Sequence, residues 1–251
     1  MFIVIKKSKI IVAILIIATI IIACSLYLTT DITTAFSAKK KLPIYSVECE
    51  ENLVALSFDA AWGADKTTKI MDILDEYNMK ATFFVVGFWI DKFPEKAKEI
   101  HERGFLLANH STNHLHMNTL SPEEIKKEIE TTNKKIYDIT NEKTLYFRAP
   151  FGEYNNNLLD YIEQSNMYCI QWDVDSLDWK GLKGGQIADR VLAKVKKGSI
   201  VLFHNNSDYI LEALPLVLMG LKNKKMTCVR MDELIIKDDY YIDNNGRQKK
   251  R

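Results

Sequence analysis

The sequence predicts an α/β fold with about seven parallel strands, and three observations lead to that prediction. Strand-like apolar runs alternate with helix-like segments along most of the 251 residues, as in a parallel sheet with right-handed crossovers. Residues 53–58 are apolar on both faces, which is typical of a central strand covered by helices. Polar residues cluster directly after several of these strands. Seven repeats of this length fit a (β/α) barrel, closed or incomplete, better than an open sheet, although periodicity alone does not decide between the two.

The alternation gives the bounds of each predicted element. Strands are expected over residues 53–58, 81–86, 105–108, 145–147, 168–173, 199–203 and 226–229. Helices are expected over residues 65–77, 94–103, 122–139, 156–165, 185–197 and 209–222. The third of these helices opens with a capping box, because Ser121 is followed by Pro122 and, three residues on, by Glu124.

The composition is that of one globular domain with a sizeable core. Apolar residues make up 47% of the chain, charged residues 27%, and the net charge is +1. A charge this small gives no reason to propose nucleic acid as a partner. The four cysteines (Cys24, Cys49, Cys169 and Cys228) are widely spaced and form no CxxC pair. They predict neither a zinc knuckle nor a dense disulfide framework, and we expect Cys169 and Cys228 to be buried free thiols.

The N-terminal segment differs in composition from the rest of the chain. Lysines precede an apolar run over residues 10–28, which is about as long as the roughly 20 residues that a membrane-spanning helix needs. Lysines before the run, with none directly after it, favour an N-terminus inside the cell and the remaining chain outside. We favour an uncleaved, single-pass anchor in the cell membrane. A signal peptide cleaved near residues 35–38, which would give a secreted protein, and a lipid anchor at Cys24 are the alternatives.

These observations divide the chain into four parts. Residues 1–29 are the predicted anchor or signal peptide, and residues 30–49 are a linker. Residues 50–237 form the globular domain. Residues 238–251 are a polar tail without a core pattern, which we expect to be frayed.

Five polar clusters follow predicted strands, and their convergence is the main argument for an active site. They are Asp59, residues 109–114, residues 148–152, residues 173–179 and His204. Because the carboxyl ends of parallel strands lie on one rim of a barrel, we expect these clusters to meet there.

Each candidate residue also has a less specific explanation. His110 and His114 are four residues apart and could share a metal, although two solvated loop histidines are the commoner explanation. His204 ends an apolar strand and is placed to exchange protons near neutral pH, unless it is only a hydrogen-bonded surface histidine. Arg148 could pair with Asp59 or bind an anion, or it could form a surface ion pair.

The remaining candidate residues could assist the histidines and Arg148. Asp178 could accept a hydrogen bond from the ring of His204, or it could be a solvated loop acid. Trp62, Phe151 and Trp179 could form an apolar platform for a sugar face, although core aromatics would look the same in sequence. A third nearby histidine, residue 116, fits the spacing of the first two less well and is left out of the predicted site.

Taken together, the motifs resemble those of the polysaccharide deacetylases, the NodB-like carbohydrate esterase family 4. The resemblance covers about residues 50 to 235, and five motifs occur in the family's order, which is far more specific than any one of them. The matching segments are Leu56-Ser57-Phe58-Asp59 for TFDDG, Asn109-His110-Ser111-Thr112-Asn113-His114 for the histidine motif, Arg148-Ala149-Pro150-Phe151-Gly152 for RxPxG, Asp175-Ser176-Leu177-Asp178-Trp179 for DxxDW, and Val201-Leu202-Phe203-His204 for the last motif. The variant FDAAWG over residues 58–63 is similar to that of a sporulation-associated subgroup.

The resemblance implies a distorted (β/α) barrel that removes acetyl groups from N-acetylated amino sugars. The implied partner is cell-wall glycan, with N-acetylglucosamine or N-acetylmuramic acid units. By resemblance, Asp59 is the general base, and Arg148 orients it. His204 is the acid that protonates the leaving amine, with Asp178 behind it.

The family also implies a divalent metal, usually zinc, held by two histidines and one aspartate. His110 and His114 match the histidines, but the aspartate falls at Ala60, whose methyl group cannot bind a metal. Two imidazoles alone make a weaker and less selective site. Asp65 or a substrate oxygen could substitute, though nothing in the sequence shows it. The closing glycine of the motif is displaced to Gly63, so the loop geometry can differ.

The sequence therefore suggests three functions. The first is an exported, metal-dependent N-deacetylase of cell-wall glycan, most directly peptidoglycan, acting in sporulation. The second is a catalytically impaired barrel that binds wall glycan as a scaffolding module, which the alanine at position 60 motivates. The third is a metal-dependent amidase for a substrate that is not a sugar, which the five motifs make less favoured.

Overall fold

The computed structural model describes residues 7–37 and 41–251, which divide into an N-terminal unit and a unit over Lys41–Arg251. The N-terminal unit is one helix, α1 (Lys7–Ser37). Within the described ranges, no helix is long and apolar enough to cross a membrane. The single-pass anchor expected over residues 10–28 stays a prediction.

Regular secondary structure lies at both ends of the linker predicted over residues 30–49. Helix α1 continues to Ser37, and the larger unit already has a strand at Ser46–Val47. Residues 38–40, in the middle of the predicted linker, lie outside the described residues.

The larger unit alternates strands and helices, as the sequence predicts. Its strands are β1 (Ser46–Val47), β2 (Leu53–Ala60), β3 (Thr82–Val85), β4 (Leu106–Asn109), β5 (Tyr146–Phe147), β6 (Tyr168–Cys169), β7 (Val174–Asp175), β8 (Ile200–His204), β9 (Thr227–Cys228), β10 (Tyr240–Ile242) and β11 (Arg247–Lys250). Its helices are α2 (Thr67–Glu76), α3 (Gly87–Lys92), α4 (Pro94–Glu102), α5 (Pro122–Thr140), α6 (Asn156–Gln164), α7 (Gly184–Lys194), α8 (Ile210–Asn223) and α9 (Met231–Leu234).

The main sheet is a half-barrel of seven parallel strands, which confirms the predicted fold class. The strands follow the order β6-β5-β4-β3-β2-β8-β7, and every neighbouring pair is parallel. An eighth strand, β9, pairs with the first residues of β2. All carboxyl ends of the seven strands therefore point to the same rim.

The single strand predicted over residues 168–173 is wrong. The pairing of β6 with β5 ends at Cys169, and β7 pairs with β8 at the opposite edge of the sheet. Residues 170–173 cross the opening between these two edges. Isolated bridges from Ile44 to Ile170 and from Ser46 to Ser199 place the N-terminal segment of this unit in the same gap.

Strand β2 separates two apolar layers, because its side chains alternate between the faces of the sheet. Leu56 and Phe58 are fully buried and belong to a cluster with residues of α2 and α8. Ala55, on the opposite face, belongs to the inner cluster with Val47 and Ile200. Each fully buried large apolar side chain contributes roughly 1.5–3 kcal/mol, so this strand is firmly held where it reaches the rim. Cys169 and Cys228 are buried free thiols, as predicted.

The C-terminal tail is not frayed, so that expectation is wrong. Strands β10 and β11 pair antiparallel, and β11 pairs parallel with β1. Gln248, on β11, is fully buried; its side chain accepts from the backbone N–H of Ile236 and donates to the carbonyl of the same residue. A polar sequence thus supplies the hydrogen bonds that anchor the strand, which a search for apolar patterns cannot detect.

Candidate active site

The five polar clusters predicted from the sequence lie on one rim of the half-barrel. The register of β2 and β8 places Asp59 directly beside His204. On the other side, His110 directly follows β4 and Arg148 directly follows β5. The backbone N–H of Arg148 donates to the carbonyl of Asn109, the last residue of β4. The parallel sheet thus brings these residues together, as expected.

Asp59 and Arg148 form a buried ion pair at the centre of the rim. Arg148 Nη1 donates to Asp59 Oδ1 at 2.7 Å, Asp59 is 7% exposed, and Arg148 is not exposed at all. Arg148 Nη2 also donates to Ser57 Oγ at 2.8 Å, and its Cζ lies 4.0 Å from the ring centroid of Phe84. Because removing one partner of such a pair leaves an uncompensated buried charge, the pair holds both side chains in place.

His204 and Asp178 form a second pair on the neighbouring strand. His204 Nδ1 donates to Asp178 Oδ1 at 2.8 Å, and the backbone N–H of His204 donates to Asp178 Oδ2 at 2.8 Å. The carboxylate is buried, whereas the imidazole is partly exposed. A hydrogen bond from Nδ1 leaves Nε2 as the free ring nitrogen.

The environments of Asp59 and His204 shift the pKa values of these two groups in opposite directions. Burial would raise the pKa of Asp59, but the charge of Arg148, with smaller effects of His110 and His204, lowers the pKa below its ordinary value. Burial lowers the pKa of His204, but the hydrogen bond and charge of Asp178 outweigh it and raise the pKa. Two neighbouring titratable groups whose pKa values are shifted apart are typical of a base and an acid that act together.

His110 and His114 are neutral imidazoles beside this pair. His110 Nδ1 donates to the carbonyl of Arg148 at 2.8 Å, and His110 Nε2 lies 3.4 Å from Asp59 Oδ2. Burial lowers the pKa of His110, and burial with the neighbouring His110 lowers the pKa of His114 to about 4. The contact between His110 and Asp59 is therefore not an ion pair. Neutral imidazoles keep a lone pair that can bind a metal.

The loop that carries the two histidines is held by Glu128, which sequence reasoning missed. Glu128 lies on α5 and is buried, with no cation among its hydrogen-bond partners. Its Oε2 accepts from the backbone N–H groups of Thr112 and Asn113 at 2.9 and 2.8 Å, and its Oε1 accepts from Asn113 Nδ2 at 2.6 Å. Three donors satisfy the buried carboxylate, so the loop and the helix are fixed to one another.

Two further contacts set the loop's shape. His114 has a positive φ of 55°, and its backbone N–H donates to Ser111 Oγ at 3.0 Å. Thr132 Oγ1 donates to the carbonyl of Ser111 at 3.0 Å. A signal for Glu128 was present in the sequence, since it follows Ile125 by three residues on the buried stripe of α5.

The residues at the rim do not fit a three-ligand metal centre. Ala60 is fully buried in the same apolar cluster as Leu56 and Phe58, and its methyl group offers no donor atom to a metal. Among the described residues, no three His, Cys, Asp or Glu side chains are placed to hold a metal ion together. His110 and His114 are ligands of the type that zinc prefers, but they are only two.

Three exposed aromatic side chains surround the rim. Trp62, Phe151 and Trp179 are 58%, 55% and 58% exposed. The ring centroid of His114 lies 5.0 Å from that of Trp62 and 4.6 Å from that of Phe151. The three predicted platform residues are therefore at the surface and not in the core, and Trp62 and Phe151 lie beside His114.

Comparison with known proteins shows the family to which the chain belongs. The family model for polysaccharide deacetylase matches residues 46–170. The structure of the Bc1960 peptidoglycan N-acetylglucosamine deacetylase superposes with a TM-score of 0.74 at 30% identity, over 76% of this chain and 92% of that one. The chain belongs to the polysaccharide deacetylase family.

Two more members of the family bear on its function. A peptidoglycan-N-acetylglucosamine deacetylase of Bacillus cereus is 33% identical over 68% of this chain and 64% of its own length. A pseudoenzyme of carbohydrate esterase family 4 from Bacillus anthracis superposes with a TM-score of 0.75 at 30% identity, over 83% of this chain and 73% of that one. The matched part spans 60% and 64% of the length of two curated relatives. The family thus contains both active deacetylases and a barrel named as a pseudoenzyme.

Proposed function

We propose that the chain is a deacetylase that hydrolyses N-acetyl groups of amino sugars in cell-wall glycan. One observation carries the proposal: an ionised Asp59 held by Arg148 lies beside a His204 whose pKa is raised by Asp178. Hydrolysis of an amide needs a base for the attacking water and an acid for the leaving amine.

Asp59 and His204 act in different steps of the reaction. A water molecule attacks the acetyl carbonyl carbon and gives a proton to the free oxygen of Asp59. The tetrahedral intermediate then breaks its C–N bond while His204 Nε2 donates its proton to the leaving nitrogen. The products are acetate and a free amino sugar. Because the lowered pKa of Asp59 makes it a weak base, we expect slow turnover unless the water is activated in another way.

Peptidoglycan is the proposed substrate. Relatives of 30% identity or more are named peptidoglycan-N-acetylglucosamine deacetylases, and the exposed aromatic rings beside the histidines suit the apolar face of a sugar. N-acetylglucosamine and N-acetylmuramic acid units are both compatible with this chemistry. The test is acetate release by the full chain from N-acetylglucosamine oligomers and from peptidoglycan. A chain that binds these glycans without releasing acetate would contradict the proposal.

A second function has support of its own. Position 60 offers no metal ligand, and the structural relatives include a pseudoenzyme. If zinc is needed for turnover, the two imidazoles would hold it only weakly, and the barrel would act as a glycan-binding or scaffolding module. The retained Asp59 and His204 favour the deacetylase.

Localisation follows from the substrate. A chain that acts on wall glycan must lie outside the cell membrane, and the lysines before residues 10–28 are typical of export signals. A membrane anchor, a cleaved signal and a lipid at Cys24 stay open, and fractionation of expressing cells distinguishes them. The sequence 58–63 supports a role in sporulation, which a deletion strain scored for spore-wall composition would test.

The acid role of His204 predicts a pH dependence. Because the acid must be protonated and its pKa is raised above 6.5, acetate release should fall as the pH rises through that raised pKa. Asp178→Asn removes the charge that raises the pKa and should move this limb to lower pH, besides slowing the reaction. Asp208→Asn, which removes an exposed carboxylate four residues after His204, is the matched control and should leave the profile unchanged. Superimposable profiles of Asp178→Asn and the wild type would contradict the assignment.

A further inference from the structure

A lysine that the proposed reaction does not use joins the segment after Asp59 to the loop after His204. Lys66 Nζ donates to the backbone carbonyls of residues 206, 207 and 208, at 3.3, 2.7 and 3.4 Å. The three N–H donors of an ammonium group match these three acceptors. Among the described residues, no carboxylate forms an ion pair with Lys66, which is partly buried. The ammonium group and the three carbonyls are called the lysine clasp.

The position of Lys66 is unfavourable for a lysine in terms of local helix stability. Lys66 is the N-cap of α2, where serine, threonine, aspartate and asparagine are preferred, and its side chain does not cap the helix. Residues 206–208 lie just before α8, which begins at Ile210. The ammonium group is therefore near the positive ends of two helix dipoles, where a cation is disfavoured. Helix stability thus does not explain the lysine, whereas the contacts between the two segments do.

A second set of contacts joins the same two segments. The backbone N–H of Asn205 donates to the carbonyl of Asp59 at 3.1 Å. Asn205 Nδ2 donates to the carbonyl of Gly63 at 2.9 Å and to Thr67 Oγ1 at 3.2 Å, and Asn205 is only 1% exposed. Gly63 has a φ of +67°, and a Cβ there would lie 3.5 Å from the Cβ of Asn206. The segment after β2 and the loop after β8 are therefore packed closely against each other.

The loop after β8 also holds the pair of His204 and Asp178. Ser207 Oγ donates to the carbonyl of Asp178 at 3.0 Å, and the backbone N–H of Ser207 donates to the carbonyl of His204 at 3.3 Å. Ser207 is also the residue whose carbonyl makes the shortest contact with Lys66. Contacts thus run without interruption from the ammonium group through Ser207 to the acid and its partner.

We infer that Lys66 is a positioning residue that fixes the base Asp59 and the acid His204 at their working separation. Lys66 acts through the loop of residues 205–208 and not on the reacting atoms. Because a misplacement of about 1 Å can cost about 10²-fold in rate, a loose loop should slow the chemical step and leave glycan binding unchanged. The inference rests on the proposed function for the roles of the two groups, whereas the contacts of the lysine clasp do not depend on it.

Steady-state kinetics of the full chain on the N-acetylglucosamine tetramer test this role. Lys66→Met keeps most of the side-chain length but loses the ammonium group, so kcat should fall about 10- to 100-fold with little change in KM. The high-pH limb of the profile should move to lower pH, because a loose loop weakens the hydrogen bond from His204 to Asp178 that raises the pKa of His204. Lys66→Arg keeps a cation with several donors and should retain most of the rate. Lys69→Met, which removes an exposed lysine of α2, is the matched control and should change neither kcat nor the profile.

Chemical rescue separates positioning from a general loss of stability. Lys66→Ala lacks a propylammonium group, and added propylammonium should restore part of the lost kcat. Propanol has nearly the same shape but no charge, so it should not. A wild-type kcat in Lys66→Met overturns the inference, even if the melting temperature falls. A kcat of Lys66→Ala that propanol restores as well as propylammonium also overturns it.

Hydrogen exchange tests the lysine clasp without turnover. Backbone N–H groups of residues 204–209 should exchange faster in Lys66→Met than in the wild type and in Lys69→Met, with those of α5 unchanged. Equal exchange of residues 204–209 in all three chains overturns the inference. If the wild type releases no acetate but the exchange changes as expected, the proposed function fails and the positioning of the loop by Lys66 stands.

Discussion

Replacing Ala60 by aspartate is expected to raise the zinc affinity of the full chain at least about 100-fold, because loss of outer-sphere partners alone commonly costs 10–100-fold. The new carboxylate would complete the set begun by His110 and His114, as the family resemblance implies. Calorimetric titration with zinc measures the affinity directly.

The Ala60→Asp variant can also be tested through its stability, because Ala60 is buried. In the absence of metal, an aspartate at this fully buried position should destabilise the fold, since an ionised carboxylate among apolar side chains is unfavourable. Zinc at 100 times its dissociation constant should restore about 2.7 kcal/mol. Ala60→Asn, with nearly the same volume and no charge, is the matched control and should show a small zinc effect. Equal zinc affinities of Ala60→Asp and the wild type would show that position 60 does not face the metal.

Replacing Asp59 by asparagine should lower acetate release by about 10²–10⁴-fold, the usual contribution of a general base. Asparagine keeps the shape of the side chain and can still accept from Arg148, but it cannot take a proton from water. Initial rates at saturating glycan measure the loss.

The same change should destabilise the protein, and a control is needed to separate the two effects. Arg148 is fully buried, so removing the charge of Asp59 leaves an unpaired guanidinium and costs up to about 3–5 kcal/mol. Ser57→Ala removes a different hydrogen-bond partner of Arg148 and should lower the free energy of unfolding by about 1–3 kcal/mol. This variant keeps Asp59 as the base. Rates are compared at a temperature where melting curves show all variants folded. An Asp59→Asn chain that keeps more than a tenth of the wild-type rate would refute the role of base.

The arrangement of the site could be predicted because a parallel sheet converts order along the chain into position in space. Residues that end strands, such as Asp59 and His204, need no knowledge of distant contacts to be placed on one rim. The replacement of the family's metal-binding aspartate by Ala60 could also be recognised, because the residues on either side of position 60 match the motif.

What could not be predicted depends on contacts between residues far apart in the sequence. Ser57 supports Arg148 across 91 positions, and Glu128 holds a loop 15 to 16 positions away, so neither has a local pattern that names its partner. The break in residues 168–173 follows from which strands lie at the two edges, not from the apolar run itself. The C-terminal strands are fixed by a buried glutamine, which in the sequence resembles any surface residue.

The most direct test of the account is the chemistry of the product. Peptidoglycan incubated with the full chain and then digested should release acetate and show free amino groups on its sugars in equal amounts, with both lost in Asp59→Asn. Peptidoglycan that binds to the chain but keeps every acetyl group, with or without added zinc, would contradict the deacetylase and leave the glycan-binding barrel.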